Sequence, residues 1–229
     1  MKIGGLQKVS LIEYPGKICG IIFTQGCNFN CPYCYNVELV DPTLYRECLP
    51  EDEIFSFLTK RKGKLDAVTI TGGEPTMQPD LIEFVKYVRK IGYLVKIDTN
   101  GSYPKVIEKL ISKKLVDYIA MDLKGPLSKY RIVTRSQINE DEIKQSIEII
   151  MKSGIPYEFR TTILKQLLDE NDILEIGNLI KGASLYILQQ FVPTRTLDKN
   201  FHNYEAYTRE EMHSFRDKLK KDVSVAFVR

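Results

Sequence analysis

The amino-acid sequence predicts an α/β fold built on a parallel sheet, either open or curled into a barrel. Short runs rich in β-branched residues alternate along the chain with longer stretches of helical period, which is typical of βα units. The chain has 229 residues, of which 43% are hydrophobic and 28% charged, as expected for a globular protein with a sizeable core. No internal repeat or linker-like stretch divides it, so we expect one domain over residues 1–229.

Seven segments predict strands. Residues with a high preference for strands, β-branched ones above all, dominate these segments, and turn residues border them. The predicted strands cover residues 18–23, 67–71, 93–98, 117–122, 157–163, 184–191 and 223–228.

Between these strands, apolar residues recur at helical spacing and predict six helices. Pro79 suits the first helical position of the second helix, and Gly92 suits its end. Gly154 closes the fourth helix, while Thr208 and Glu211 form a capping-box pattern at the start of the last one. The predicted helices cover residues 51–61, 79–91, 104–112, 141–153, a stretch around 173–180 and a stretch that begins after residue 208.

Charge and hydropathy exclude two classes of partner. The 33 basic and 30 acidic residues give a net charge of +3 without a strongly basic half, which disfavours nucleic-acid binding. The apolar run over residues 18–23 is far too short to span a membrane, and no basic-then-apolar leader opens the chain. We therefore expect a cytoplasmic protein with no nucleic-acid or membrane partner, whose five cysteines form no disulfide framework.

Three of the cysteines, Cys27, Cys31 and Cys34, lie within eight residues directly after the first predicted strand. Ligands gather at the carboxyl ends of strands in parallel α/β folds, so this loop is a candidate site. Three thiolates at this spacing can hold a 4Fe–4S cluster and leave one iron open to a substrate or cofactor. A zinc site would need a fourth ligand, and the two histidines, His202 and His213, lie far downstream. Unligated cysteines, or a zinc site completed from a distance, are the alternatives.

The residues Gly72, Gly73 and Glu74 follow the second predicted strand. The two glycines let the backbone approach a ligand closely, and the Glu74 carboxylate could accept hydrogen bonds from an ammonium group. A bare Gly-Gly-Glu-Pro sequence is also an ordinary turn. Its position at the carboxyl end of a strand favours a binding role.

Ionisable residues lie in or beside the next three apolar strands, where an isolated charge is costly. They are Asp98, Asp122, Lys124 and Arg160. These groups either pair with one another at the mouth of the sheet or bind a charged ligand there.

The spacing Cys27-x3-Cys31-x2-Cys34, with the aromatic Tyr33 before the last cysteine, resembles that of the radical S-adenosylmethionine enzymes. The resemblance implies a partial (βα) barrel of about six to seven strands. It also implies that the three cysteines hold a 4Fe–4S cluster whose fourth iron binds S-adenosylmethionine. By the same resemblance, the residues near the adenine and the methionine amino group are Tyr33, Cys34, Tyr35, Gly72, Gly73 and Glu74.

Two strand ends look like those of the activating enzymes for glycyl-radical partners. In that group, residues at these positions contact S-adenosylmethionine and can help to hold a monovalent cation. Arg160 would pair with the methionine carboxylate. The residues that match at the two strand ends are Asp98, Thr99, Asp122, Leu123 and Lys124.

The segment 8–17 is especially similar to the activators of anaerobic ribonucleoside-triphosphate reductase, and the resemblance extends to Arg160. Two departures limit what it implies. Pyruvate formate-lyase activators carry a histidine near the end of strand six, but residues 189–193 contain none. The 37 residues between Cys34 and Gly72 contain a single cysteine, Cys48, so no auxiliary cluster fits there.

The resemblance implies an activating enzyme of the radical S-adenosylmethionine oxidoreductase class. Such an enzyme cleaves S-adenosylmethionine reductively to a 5′-deoxyadenosyl radical, which takes a hydrogen atom from a glycine α-carbon of a partner enzyme. The expected partner is anaerobic ribonucleoside-triphosphate reductase, and the expected one-electron reductant is an external flavodoxin or ferredoxin. The alternatives are a small-molecule enzyme of the 7-carboxy-7-deazaguanine synthase type and a non-catalytic iron–sulfur or zinc-binding module.

Overall fold

A computed structural model describes residues 1–229 and contains one sheet of eight strands. The strands lie side by side in chain order, and every neighbouring pair is parallel except the first. Because the first and last strands do not pair, the sheet is open, which confirms the predicted partial barrel. The strands are β1 (Ile3–Tyr14), β2 (Lys17–Thr24), β3 (Ala67–Gly72), β4 (Leu94–Thr99), β5 (Tyr118–Asp122), β6 (Tyr157–Ile163), β7 (Tyr186–Gln190) and β8 (Ala226–Val228).

Helices occupy the connections between the parallel strands. Most have one apolar face, and those faces join the sheet in a single large hydrophobic core. No helix is both long enough and apolar enough to cross a membrane. The α-helices are α1 (Val37–Val40), α2 (Glu51–Arg61), α3 (Leu81–Ile91), α4 (Pro104–Ser112), α5 (Tyr130–Thr134), α6 (Glu140–Lys152), α7 (Glu170–Leu179) and α8 (Arg209–Leu219).

Strand β1 is the main departure from the sequence-based expectation of seven strands. Only three of its twelve residues are buried and five are exposed, so it lacks the apolar pattern of a core strand. Two adjacent glycines, Gly4 and Gly5, weaken its strand preference further. The strand forms because a tight turn at Gly16, with a φ of 68°, folds it back antiparallel to β2.

Several predicted boundaries are confirmed and others are wrong, since the last strand, predicted over 223–228, covers only Ala226–Val228. Helix α3 begins at Leu81, so Pro79 lies before the helix rather than at its first position. Gly92 ends this helix in the left-handed conformation, as predicted. Thr208 and Glu211 form the predicted capping box at the start of α8.

The fold brings the carboxyl ends of β2 to β7 to one edge of the sheet, because these six strands are parallel neighbours. The cysteine loop follows β2, and the charged residues predicted from the sequence lie at the ends of the strands that follow it. The sheet order alone therefore places the candidate site residues next to one another.

Candidate active site

A cavity of about 400 Å³ lies at the carboxyl ends of the parallel strands. Binding sites for small molecules have volumes of roughly 300–1,000 Å³. The cavity walls come from the cysteine loop and from the ends of β3 to β7. The polar and ionisable residues that line it, cysteines and tyrosines aside, are Glu13, Asn36, Thr71, Glu74, Asp98, Thr99, Asn100, Asp122, Lys124, Arg160, Thr162, Gln189 and Gln190.

All three cysteines of the loop line this cavity, and none is in a disulfide. Burial raises the pKa of Cys27 and of Cys31 to about 12, and it also raises the pKa of Cys34. The three thiols therefore keep their protons until a metal displaces them, and metal binding would release those protons.

Hydrogen bonds tie the cysteine loop to the neighbouring strand ends. The backbone N–H of Phe29 lies 3.4 Å from the Cys27 sulfur, and the side-chain Nδ2 of Asn100 lies 3.9 Å from the same atom. At the far end of the loop, the side chain of Asn36 donates to the carbonyl oxygen of Gly72 at 2.8 Å. Hydrogen bonds to a ligating sulfur tune the potential of an iron–sulfur cluster, so Asn100 lies where it could do so.

The loop cysteines do not form a ready-made site for a single metal ion. No group of three or more His, Cys, Asp or Glu side chains in the chain could hold a single metal ion. A tetrahedral zinc site, with Zn–S distances near 2.3 Å, would bring its sulfurs within about 4 Å of one another. In a 4Fe–4S cluster each cysteine binds a different iron, which spaces the sulfurs more widely. Three thiol donors without a fourth protein ligand are the donor set of a 4Fe–4S cluster that leaves one iron open.

Gly72 and Gly73 let the end of β3 pack directly against the chain that leads into the cysteine loop. A Cβ atom on Gly73 would lie 2.0 Å from the carbonyl oxygen of Gly26. A Cβ atom on Gly72 would lie 2.6 Å from the backbone nitrogen of Thr24, and Gly72 also has a φ of 110°. The close backbone approach predicted for these glycines is thus made to the protein's own chain.

The carboxylate of Glu74 is buried and accepts four hydrogen bonds. Its Oε1 accepts from the backbone N–H of Thr76 at 2.9 Å, from the Thr76 hydroxyl, and from the Thr99 hydroxyl at 2.7 Å. Its Oε2 accepts from the backbone N–H of Asn100 at 2.7 Å. Burial raises the pKa of Glu74 above its ordinary value, and the hydrogen bonds oppose that rise. Glu74 therefore fastens the end of β3 to the end of β4.

Arg160 lies at the centre of a buried group of charges. Its Nε donates to Asp122 at 2.8 Å, and one terminal nitrogen donates to Asp98 at 3.2 Å and lies 3.7 Å from Glu158. The ammonium of Lys124 lies 3.1 Å from the second oxygen of Asp122. Burial alone would raise the pKa of Asp98 and Asp122, but their cationic partners together outweigh it and hold both pKa values below the ordinary range. These partners are Arg160 with Lys96 for Asp98, and Arg160 with Lys124 for Asp122.

The two tyrosines of the cysteine loop occupy different surroundings. Tyr33 is only 4% exposed, and its hydroxyl has no hydrogen-bond partner within the chain. A buried polar atom of this kind is rare, and a ligand or water could supply the missing partner. Tyr35 stacks on Phe191 with ring centroids 6.1 Å apart, and its hydroxyl accepts from the backbone N–H of Val192 at 2.8 Å.

All of the site residues predicted from the sequence line the cavity, with the exception of Leu123. The side chain of Leu123 is fully buried in the hydrophobic core, and its backbone N–H donates to the carbonyl oxygen of Arg160 at 2.7 Å. Leu123 therefore packs beside the site, and its side chain does not reach the cavity. The assigned binding roles of the other residues stay predictions.

Other residues of the cavity were absent from the predicted set. Asn100 directly follows the predicted pair Asp98 and Thr99. The expectation that ligands bind at the carboxyl ends of parallel strands could therefore have identified it. Gln189 and Gln190 lie at the end of β7 and could have been found in the same way. Glu13 enters the cavity from β1, and no local signal marks that strand.

The open βα sheet and a three-cysteine loop at its carboxyl edge define a class of enzyme that performs radical chemistry. A family model described as the radical SAM superfamily matches residues 21–179 of this chain. The match includes the cysteine loop and every strand from β3 to β6. The chain therefore belongs to the radical SAM superfamily, whose members use a 4Fe–4S cluster and S-adenosylmethionine.

Two relatives match over nearly the whole chain. A protein of Methanocaldococcus jannaschii, provisionally named a glycyl-radical enzyme activating enzyme, is 35% identical over 99% of this chain and 95% of its own length. The pyruvate formate-lyase-activating enzyme of Clostridium pasteurianum is 26% identical over 96% of this chain and 97% of its own length. Among solved structures, Streptococcus suis SuiB matches with a TM-score of 0.70 and 14% identity, over 91% of this chain and 48% of its own. That last similarity is evidence for the fold alone.

Replacing Gly73 by alanine tests the contact between β3 and the cysteine loop. The new Cβ would collide with the Gly26 backbone, so we expect a loss of about 1–3 kcal/mol in the free energy of unfolding. We also expect less iron to be retained after anaerobic reconstitution. Gly5→Ala is the matched control, because its Cβ would have no neighbour closer than 3.7 Å. Wild-type stability and iron content in Gly73→Ala would show that the contact does not matter.

The lowered pKa of Asp122 predicts a pH dependence of stability. A carboxyl group in an unfolded chain titrates near pH 4, so the stabilisation is fully present above that pH and is lost as the pH falls below it. Asp122→Asn should lower the free energy of unfolding at pH 7 by about 1–3 kcal/mol. Urea unfolding from pH 7 to pH 3 should show this difference shrinking below about pH 4. Asp141→Asn, at an exposed carboxylate, should show no comparable difference, and a gap for Asp122→Asn that stays constant with pH would contradict the prediction.

Proposed function

We propose that this protein activates a glycyl-radical enzyme, using a 4Fe–4S cluster held by Cys27, Cys31 and Cys34 together with S-adenosylmethionine. One observation carries the proposal: the three thiols and the charged ends of four parallel strands, β3 to β6, line a single cavity of about 400 Å³. The cluster, when reduced, supplies the electron that cleaves S-adenosylmethionine to methionine and a 5′-deoxyadenosyl radical. The residues of this chain hold, orient and shield the reacting groups.

The charges around the cavity support a cationic ligand. Four carboxylates but only two cationic side chains, Lys124 and Arg160, line it. S-adenosylmethionine bears a sulfonium, an ammonium and a carboxylate, and thus one net positive charge. Arg160 and Lys124 suit the carboxylate of the methionine end.

Glu74 acts on the ligand through the loops that it holds. Both of its oxygens already accept hydrogen bonds, so a direct bond to the methionine ammonium would compete with those from Thr99 and Asn100. Its role in this proposal is to fix the ends of β3 and β4, which form one wall of the cavity. Gly72 and Gly73 then contribute backbone groups to that wall.

The near-full-length similarity to two activating enzymes supports a protein substrate. Anaerobic ribonucleoside-triphosphate reductase is the partner that we propose, because the segment 8–17 resembles the activators of that enzyme. This segment forms the end of β1 and its turn, and it brings Glu13 to the cavity. The segment is therefore positioned to influence what enters the site.

Three further expectations stay predictions within this proposal: a flavodoxin or ferredoxin as electron donor, a cytoplasmic location, and a monovalent cation at Asp98 and Asp122. Each oxygen of these two carboxylates already accepts a hydrogen bond from a cationic side chain. A cation bound there would have to displace one of these groups. Binding of S-adenosylmethionine in potassium and in tetramethylammonium buffers tests the cation directly.

Cysteine variants test the chemistry of the site. With dithionite as reductant, the reconstituted protein should convert S-adenosylmethionine to methionine and 5′-deoxyadenosine, measured by chromatography. Cys27→Ala, Cys31→Ala and Cys34→Ala should each lower this cleavage to background, because each removes a cluster ligand. Cys48→Ala is the control and should keep the wild-type rate, since Cys48 does not line the cavity. No cleavage by the wild-type protein would favour a non-catalytic metal-binding module.

Electron paramagnetic resonance tests the partner. Anaerobic incubation with S-adenosylmethionine, reductant and anaerobic ribonucleoside-triphosphate reductase should produce a glycyl-radical signal in the reductase. The signal should disappear when the radical-bearing glycine of that enzyme is replaced by alanine. A signal only with pyruvate formate-lyase would support the proposed reaction but would show that the partner is not the reductase. Cleavage of S-adenosylmethionine with no signal from either enzyme would favour a small-molecule substrate.

A further inference from the structure

A fully buried lysine lies beneath the proposed cofactor cavity without lining it. Lys96 is in β4, two residues before Asp98, and it is only 1% exposed. Lysine is almost never buried to this degree unless its charge is paired. The surroundings of its ammonium group therefore indicate what holds it there.

The Lys96 ammonium lies between two carboxylates from different parts of the sheet. Its Nζ donates to Asp98 Oδ1 at 2.5 Å and lies 3.5 Å from Glu13 Oε1. It also lies 6.0 Å from the ring centroid of Tyr118, on the neighbouring strand β5. Lys96 thus joins edge strand β1 to the middle of the sheet.

These contacts extend the charge group of the site into one continuous series. From β1 inward, carboxylates and cations alternate, and each contacts the next at 2.5–3.5 Å. Every member except Lys96 lines the cavity. The series runs Glu13, Lys96, Asp98, Arg160, Asp122 and Lys124.

A contribution to folding stability does not by itself explain why these buried ion pairs are present. The interiors of βα barrels are usually filled by branched apolar side chains, and apolar replacements of buried ion pairs are often neutral or stabilising. Lys96 occupies Oδ1 of Asp98, and Oδ2 of the same carboxylate accepts a hydrogen bond from Arg160. Arg160 is therefore held on two sides, by Asp122 directly and by Asp98, which Lys96 fixes in turn.

We propose that Lys96 is a positioning residue for S-adenosylmethionine. Its buried ammonium holds Asp98, and through Asp98 it holds Arg160, in the orientation that receives the zwitterionic methionine end. The proposal rests on the proposed function, because it assigns this cavity to S-adenosylmethionine. Lys96 itself touches neither the cofactor nor the reacting atoms.

Calorimetric titration of S-adenosylmethionine into the anaerobically reconstituted protein tests the proposal. Lys96→Met keeps the length of the side chain and removes its charge, and it should raise the Kd at least tenfold. The double variant Glu13→Gln/Lys96→Met removes one charge of each sign, so the remaining series still has equal numbers of positive and negative charges. We expect the double variant to regain much of the free energy of unfolding that Lys96→Met loses. Its Kd for S-adenosylmethionine should nevertheless stay above that of Glu13→Gln alone. Lys86→Met, at an exposed lysine of α3, is the matched control and should leave the Kd unchanged.

A purely structural lysine would give a different result. The proposal is overturned if folded Lys96→Met binds within twofold of wild type. It is also overturned if the double variant regains both its stability and the Kd of Glu13→Gln. If Lys96→Met does not fold, the double variant and Glu13→Gln still decide between these outcomes. A wild-type protein that binds no S-adenosylmethionine would instead overturn the proposed function, and this proposal with it.

Discussion

The buried guanidinium of Arg160 constrains the interior of the half barrel, because a charge removed from water must be paired with good geometry. Pairing requires Asp98 on β4 and Asp122 on β5 to face the same point as Arg160 on β6. The parallel register meets this requirement by placing Asp122 directly beside Arg160. A shift of one residue in any of these strands would turn the charged side chain to the opposite face, towards the apolar core. The charge group therefore specifies strand register as well as the chemistry of the cavity.

The cysteine loop depends on a second constraint, which is close backbone packing. The loop contains no helix or strand of its own, yet its sulfurs must keep their spacing to hold a cluster. Gly73 packs on Gly26, and Asn36 binds the Gly72 carbonyl, so both ends of the loop are fixed to the end of β3. Glu74 in turn fixes β3 to β4. The segment Gly72–Glu74 thus holds the cysteine loop in place and also lines the cavity.

The segment that follows β7 covers the outer side of the cysteine loop. Its backbone N–H groups at Leu197 and Asp198 donate to the carbonyl oxygens of Cys34 and Pro32 at 3.1 and 2.9 Å. Phe191, at its start, stacks on the ring of a loop tyrosine. These contacts hold the segment against the cysteine loop. Burial raises the pKa of the thiols, and the same low-dielectric surroundings would strengthen electrostatic interactions with a bound cofactor.

Local pattern in the sequence was sufficient for most of the fold and for most of the cavity. Strand and helix periods predicted the alternation. Because the carboxyl ends of parallel strands share one edge of the sheet, the sequence also placed the cysteines, Glu74 and the charged residues together. What the sequence could not determine was which groups each side chain would meet. The edge strand carrying Glu13 lacks an apolar period, and Lys96 looks like any other lysine inside a strand. Their pairing joins residues 83 positions apart. Such a contact depends on the register and curvature of the whole sheet, because a charge finds its partner only when strands distant in sequence are brought together.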